Sequence, residues 1–231
     1  MEKYPNNKFS PRHFIMIPFE DENFIKDYKE LCDLLEKEKP KGYDFELLQK
    51  PGKLHTSVIV LDLKDDPNEV SKIENILDKI HPKMKELADS GITFNFDDYD
   101  VFDSKERTRV VFAKMKEDES YRKIELIIDL IIKTLIKENV ISRNDIESYH
   151  ISFEQNLYKI VLHLTLLNTM FLNKILKKKN KKPIKSFNSQ DILAVMYKKN
   201  LTSCPLNKIN FCVMREDKSI GKYELVKSYD L

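Results

Sequence analysis

Arg12 to Phe19 (RHFIMIPF) is a short apolar run between a turn-prone Ser10-Pro11 and an acidic segment, and it predicts a strand. From Glu22 to Leu35, the residues Phe24, Tyr28, Leu31, Leu34 and Leu35 recur at helical spacing, and Pro40 and Gly42 stop the helix. Leu54 to Leu63 (LHTSVIVLDL), rich in β-branched residues, is the next strand. Pro67 then opens a helix through Ile73, Ile76, Leu77, Ile80 and Leu87 that ends before Gly91. The opening order is therefore β-α-β-α. Ile92 to Phe96 alternates as a half-buried strand and Arg109 to Met115 (RVVFAKM) reads as another, with acidic Asp97 to Glu106 as the connecting loop. Tyr121 to Asn139 is a long helix that turns Ile124, Ile127, Ile128, Ile131, Leu135 and Ile136 inward. After a polar loop, Ile160 to Leu167 (IVLHLTLL) forms a buried strand, and the lysine-rich stretch from Lys174 to Lys185 reads as an exposed loop. Ser189 to Met196 is a short Ser-capped helix, and Leu206 to Met214 with Lys222 to Val226 form a closing hairpin across Lys218 to Gly221. Strands mixed with helices, joined by both hairpins and crossovers, predict an α+β fold with helices packed outside the sheet.

Composition narrows the class of protein. At 231 residues with 41% apolar content the chain can bury the core of one unit, residues 12–231, behind a flexible polar tail at 1–11. Lys+Arg 40 against Asp+Glu 38 leaves +2, so any anion site has to be local rather than a property of the whole surface. Cys32, Cys204 and Cys212 are scattered and lack C-x-x-C spacing, which suggests neither a disulfide framework nor a zinc site and points to a reducing compartment. No apolar run approaches the ~20 residues of a membrane span, so the expectation is a soluble, unexported monomer that is nuclear, cytoplasmic or both and makes no membrane contact. Four glycines leave no glycine-rich phosphate loop of the P-loop or dinucleotide type.

Two short segments carry chemistry. Leu54-His55-Thr56-Ser57-Val58-Ile59 and Leu162-His163-Leu164-Thr165-Leu166-Leu167 each set a histidine, one spacer and a small hydroxyl residue inside an apolar strand. Side chains alternate along a strand, so His55 with Ser57, and His163 with Thr165, each share a face. One such histidine reads as a satisfied core residue; two of them in the same grammar read as the lining of a wet cleft, because burying each polar pair among Val, Ile and Leu costs free energy. His13, His81 and His150 have no hydroxyl two residues on and read as structural or surface groups.

The doubled H-x-[ST] motif resembles the signature of the two-histidine (2H) phosphoesterase superfamily, which includes the LigT-type RNA ligases and cyclic phosphodiesterases. Lys53 to Ser57, Leu162 to Thr169 and Phe187 to Leu193 are similar to the phosphoesterase domain of activating signal cointegrator 1 complex subunit 1, with the nucleotide-binding domain of A-kinase anchoring proteins a close second. The likeness runs from Arg12 through nearly the whole chain. It departs at Thr56, where relatives usually carry an apolar residue, at Ser57, where many carry Thr, and ahead of Arg12, where the cointegrator subunit has a KH domain and this sequence a short polar tail. The repeated strand motif, with helices separating the strands, predicts a bilobal arrangement whose His55 and His163 strands are the central strands of two sheets facing one cleft. The resemblance implies that these sheets are of antiparallel type. It implies a 2′,3′-cyclic phosphate, 2′,5′-linked oligonucleotide or RNA 3′ end as substrate, and RNA or a nucleotide as ligand. A helicase-containing coactivator complex is the partner that the cointegrator likeness suggests.

Cleaving a phosphodiester takes a base, an acid and donors to the non-bridging oxygens. Two imidazoles with an ordinary pKa of about 6.5 can share one proton near neutral pH, while Ser57 and Thr165 donate to phosphate oxygens. This set needs no cofactor, and it lacks the carboxylates a divalent ion would want. Tyr99, Phe102 and Tyr223 are candidates to stack on a base, each with core packing or plain exposure as its alternative. The lysine-rich stretch reads as an RNA contact, a nuclear import signal or a solvated loop. A protein that keeps both motifs but only binds nucleotides or RNA is the competing reading.

Overall fold

The computed structural model describes residues 12–63, 66–142, 146 and 150–231; the stretch read as a tail, 1–11, lies outside them. In chain order its elements are β1 (His13–Pro18), α1 (Glu22–Glu38), β2 (His55–Leu61), α2 (Pro67–Ala88), β3 (Thr93–Phe94), β4 (Phe96–Val101), β5 (Val110–Met115), α3 (Glu119–Lys137), β6 (Ile151–Glu154), β7 (Leu157–Ile160), β8 (His163–Asn168), α4 (Thr169–Lys178), α5 (Gln190–Met196), β9 (Cys204–Pro205), β10 (Lys208–Asp217) and β11 (Lys222–Asp230). Single 3-10 turns, Phe45–Leu47 and Pro51–Lys53, lead into β2. The fold is α+β, with two principal antiparallel sheets: a four-stranded one in the order β11-β10-β1-β2 and a three-stranded one in the order β4-β5-β8.

The same grammar is used twice. A strand, a helix, a histidine strand and a helix come in that order as β1-α1-β2-α2 and again as β5-α3-β8-α4, the second time with the β6–β7 hairpin inserted before β8. Carboxylate or amide caps start the helices: Asp21 accepts from the Phe24 N–H at 3.0 Å, Asp118 from Tyr121 at 3.0 Å and Asn168 from Met170 at 2.8 Å. Each helix lays its apolar stripe on one face of a sheet, so that Ile15, Ile17, Ile59, Phe211, Leu164 and Ala113 join Phe24, Leu77, Ile127 and Ile131 in one continuous core. The opposite faces of the two sheets carry no helix in that core; on the first sheet Phe14, Met16 and Cys212 form a separate small cluster with Val60 and Tyr223.

Three expectations are corrected. The His55 and His163 strands are not central: β2 and β8 are edge strands of their sheets. They lie against each other, the Thr56 hydroxyl donating to the His163 carbonyl at 2.9 Å, while the Gln49 N–H reaches the Leu166 carbonyl at 2.8 Å and Leu48 bridges Leu167. Each edge thus shields the other, which is how an edge strand avoids exposing its unpaired groups. The acidic stretch after Asp97 is not all loop, because β4 occupies it to Val101: Tyr99 turns into the core while Asp98 and Asp100 face out, and the charge of the outward set masked the period of two. The lysine-rich stretch begins inside a helix, since Thr169, Leu172 and Leu176 give α4 an inward face. The hairpin β6–β7, turned by Gln155 and Asn156 at φ 52° and 65°, was hidden in a polar segment for the same reason as β4.

The seam generates the first prediction. Thr56→Val keeps the shape of a fully buried side chain and removes the donor to the His163 carbonyl, so unfolding free energy in urea should fall by about 1–2 kcal/mol. An unchanged urea midpoint would mean that the two sheets do not depend on this bond.

Candidate active site

His55 opens β2 immediately after the turn Pro51–Lys53, and His163 opens β8. Each imidazole bends back on its own chain: His55 Nδ1 lies 2.7 Å from the Lys53 carbonyl and His163 Nδ1 lies 2.8 Å from the Val161 carbonyl, in both cases two residues upstream. A carbonyl only accepts, so each contact puts the proton on Nδ1 and leaves Nε2 of a neutral ring with its lone pair free for chemistry. His55 Nε2 is 3.1 Å from the Ser57 hydroxyl, the pairing that alternation demands. Thr165 stands two residues from His163 on the same face, in register with Phe112 of β5.

Both rings are wedged between aromatics. The His55 ring meets Phe14 of β1 and Tyr223 of β11 edge-on, with centroids 5.3 Å away in each case; the His163 ring meets Phe102 at 4.9 Å and Phe112 at 5.4 Å in the same manner. Phe102 itself stacks on Phe112 at 4.5 Å. Rings packed this way lose water, and desolvation is the main reason that the His55 pKa is pulled down to about 4; the neighbouring His163 and Lys53 lower it further against the opposing pull of the Lys53 carbonyl. Burial also lowers His163, again opposed by its carbonyl contact. Burial therefore favours the neutral form of both imidazoles at pH 7.

Of the aromatic candidates, Tyr223 and Phe102 reach the histidines and Tyr99 does not. Tyr99 pairs with Ala113, which pairs with Leu164, so all three point to the core face, opposite His163. It is 6% exposed and its hydroxyl donates to the Lys199 carbonyl at 2.6 Å. Reading its segment as loop obscured that alternation. The other histidines lie elsewhere: His13 is buried beside Phe211, His81 sits on α2 against the Asp230 carbonyl and His150 is exposed.

The sequence reading missed Phe14, Phe112, Gln49 and Lys53. Phe14 and Met16 carried a signal, because a strand apolar on both faces in a sheet with helices on one side has a second face to account for. Lys53, 12% exposed at its side chain, bonds Glu216 at 2.7 Å and stands 5.0 Å over the Tyr223 ring, and Lys50 bonds the same carboxylate at 2.7 Å. Hydrogen bonds from both lysines hold Glu216 at a pKa of about 2. The Gln49 side chain bonds Tyr223. Among the described residues no group of three or more His, Cys, Asp or Glu could hold a metal ion.

With the geometry in place, comparison with known proteins is informative. No curated protein sequence matches the chain. Among solved structures, TT0787 of Thermus thermophilus is similar at 12% identity, covering 95% of this chain and 97% of that one with a TM-score of 0.51, a likeness of fold. LigT of E. coli, in a structure titled as its complex with 3′-AMP, gives 11% identity, 96% and 98% coverage and a TM-score of 0.46. Usb1 of Kluyveromyces marxianus gives 11%, 95% and 97%, and 0.46. A family model described as the AKAP7 2′5′ RNA ligase-like domain matches residues 11–231, from just before the first strand to the last residue. The chain belongs to that family, and with it to the LigT-like two-histidine phosphoesterases.

Proposed function

We propose that the protein is a metal-independent phosphodiesterase acting on RNA-type linkages, a 2′,3′-cyclic phosphate, a 2′,5′-linked oligonucleotide or an RNA 3′ end, with His55 and His163 as general acid and base. The observation that carries the reading is the matched tethering of the two rings: each Nδ1 is held by the main-chain carbonyl two residues upstream, which leaves each Nε2 on the far side of its ring, that of His55 beside the Ser57 hydroxyl. A ring fixed at one nitrogen by a carbonyl is oriented and tautomerically defined before substrate arrives, as general catalysis requires. The family's description as 2′5′ RNA ligase-like supports an RNA-type linkage.

In hydrolysis of a cyclic phosphate, one Nε2 removes a proton from water as its oxygen bonds to phosphorus. The phosphorus–oxygen bond to the ribose breaks, and the other Nε2–H protonates the departing oxygen. The two rings exchange roles in the reverse direction. Ser57 and Thr165 hydroxyls donate to the non-bridging oxygens. Because burial favours the neutral form of both rings, the acid is charged when the phosphate anion binds, its negative charge offsetting the desolvation that depresses the pKa. That same neutrality favours the competing reading, a module that binds nucleotides without turnover, and the pH dependence separates the two.

Three outcomes are expected. His55→Ala and His163→Ala should each lower kcat by about 10²–10⁴-fold, weaken nucleotide binding by about 1 kcal/mol or less, and fail to add in the double variant. A single variant that retains wild-type turnover on a substrate the parent cleaves would assign that histidine a structural role. As the folded pKa of His55 lies near 4 and that of His163 is also lowered, kcat/KM should be bell-shaped with its optimum on the acid side of about 6.5. Protonation is disfavoured by folding, so stability should rise with pH through the window between about 4 and 6.5 and stay level above it. Histidine NMR titrations in which the His55 midpoint stays near the ordinary value would contradict this. Finally, activity should persist in EDTA; loss that a divalent ion restores would show that the metal-free mechanism is wrong.

A further inference from the structure

Seven lysines lie between Lys174 and Lys185 with no acidic residue among them, and the whole chain carries only +2, so everything outside this segment is net acidic. Lysines elsewhere are frequently neutralised, as Lys50 and Lys53 are by Glu216, Lys199 by Asp27 and Glu30, and Lys208 and Lys222 by Glu20. None of the seven has a carboxylate partner among the described residues. Lys174, Lys177 and Lys178 stand at helical spacing on the outer face of α4, where like charges repel.

The segment is nevertheless built into a fixed shape. Asn180 adopts the left-handed conformation at φ 51°; its N–H reaches the Lys177 carbonyl at 3.1 Å and the Lys181 N–H reaches the Leu176 carbonyl at 2.8 Å, the paired bonds of a Schellman stop. Beyond it the Asn173 side-chain amide grips both the carbonyl and the N–H of Ile184, at 2.9 and 2.8 Å, and folds the chain back on the helix. A second set of bonds ties the outgoing chain to the cleft. Thr108 and Phe187 exchange main-chain hydrogen bonds at 3.0 and 2.9 Å, and the Ser189 N–H donates to the Lys105 carbonyl at 2.8 Å. This is the loop that carries Phe102 onto His163, and it exposes Lys105 and Arg107 beside Asp103 and Glu106.

Resting on the RNA phosphodiesterase reading, we propose that the turn at Lys174–Lys185 is an exosite for the phosphate backbone of single-stranded RNA whose reactive end lies at His55 and His163. An extended-peptide receptor would need the main-chain groups that the Schellman stop and the Asn173 grip already use. A membrane would need an outward apolar face, but Leu172, Leu176 and Ile184 pack on the core. By the rise of a strand and a helix, the chain path from His163 to the turn is roughly 30 Å, an upper limit on their direct separation, so an RNA of about nine nucleotides at a duplex-like 3.4 Å each is long enough to reach both.

The test compares the wild type with a variant bearing Lys177→Gln, Lys178→Gln, Lys181→Gln and Lys182→Gln, all exposed and outside the catalytic set, and with the four-Arg counterpart that restores the charge. Fluorescence anisotropy is read on a labelled RNA of about 12 nucleotides and turnover on a dinucleotide 2′,3′-cyclic phosphate. The Gln variant should bind the long RNA about tenfold or more weakly at low salt, with the slope of log K against log salt reduced by about 3, near 0.7 per lysine lost. Dinucleotide turnover should be unchanged, and the Arg variant should bind as the wild type does. If no substrate is turned over but the anisotropy result holds, the catalytic reading fails and the exosite stands. Equal affinity and slope in the Gln variant would overturn the exosite, as would loss of binding to phosphatidylserine vesicles with RNA binding intact.

Discussion

The cleft depends on the seam between two edge strands. Where β2 and β8 run beside each other, the alternation of a strand sends Thr56 inward to the His163 carbonyl and thereby commits His55 and Ser57 to the open side. A slip of one residue in β2 would bury the imidazole in the core and push Thr56 into the groove, so register here decides whether a site exists at all. Gln49 and Leu48 fasten the segment before β2 to the far end of β8, which leaves the seam little freedom to slide. The seam brings the two sheets together at these edges, and each histidine opens one of the strands that form it.

Placing two imidazoles among phenyl rings has a cost in solvation, and the structure offsets it locally. The bond from each Nδ1 to a carbonyl two residues upstream returns part of the lost hydration while fixing the ring, and the aromatic edges exclude water without offering a competing acceptor. The symmetry is one of function rather than of residues. On one side the flank is Phe14 and Tyr223, on the other Phe102 and Phe112, and only the first has a lysine, Lys53, held against its aromatic neighbour.

How much of this was legible in the sequence follows from what sets each feature. His55, Ser57, His163 and Thr165 could be grouped because alternation is a local rule, and the helices could be read because their inward stripes are strong. The role of the two strands as edges could not, since strand order is settled by long-range pairing that no local pattern encodes. Tyr99 was misplaced because Asp98 and Asp100 disguised a strand as a loop, and Lys53 escaped notice because its significance comes from Glu216 and Tyr223, more than 160 residues further on. Phe14 was visible only as one more apolar residue in a strand apolar on both faces.

The glycine at the turn before His55 ties these distant parts together. A Cβ on Gly52 would sit 3.0 Å from the Gly221 carbonyl, so the tip of the β10–β11 hairpin rests directly on the turn that delivers His55, with the Lys53–Glu216 pair beside it. The two half-sites consequently differ in the order of their assembly. The aromatic flank of His163, Phe102 and Phe112, comes from the same stretch of chain as the histidine, whereas His55 waits for Tyr223 on the last strand. During synthesis from the N-terminus, the aromatic flank of the half translated second is present before that of the half that begins the chain. The final hairpin is the piece that closes the catalytic wall.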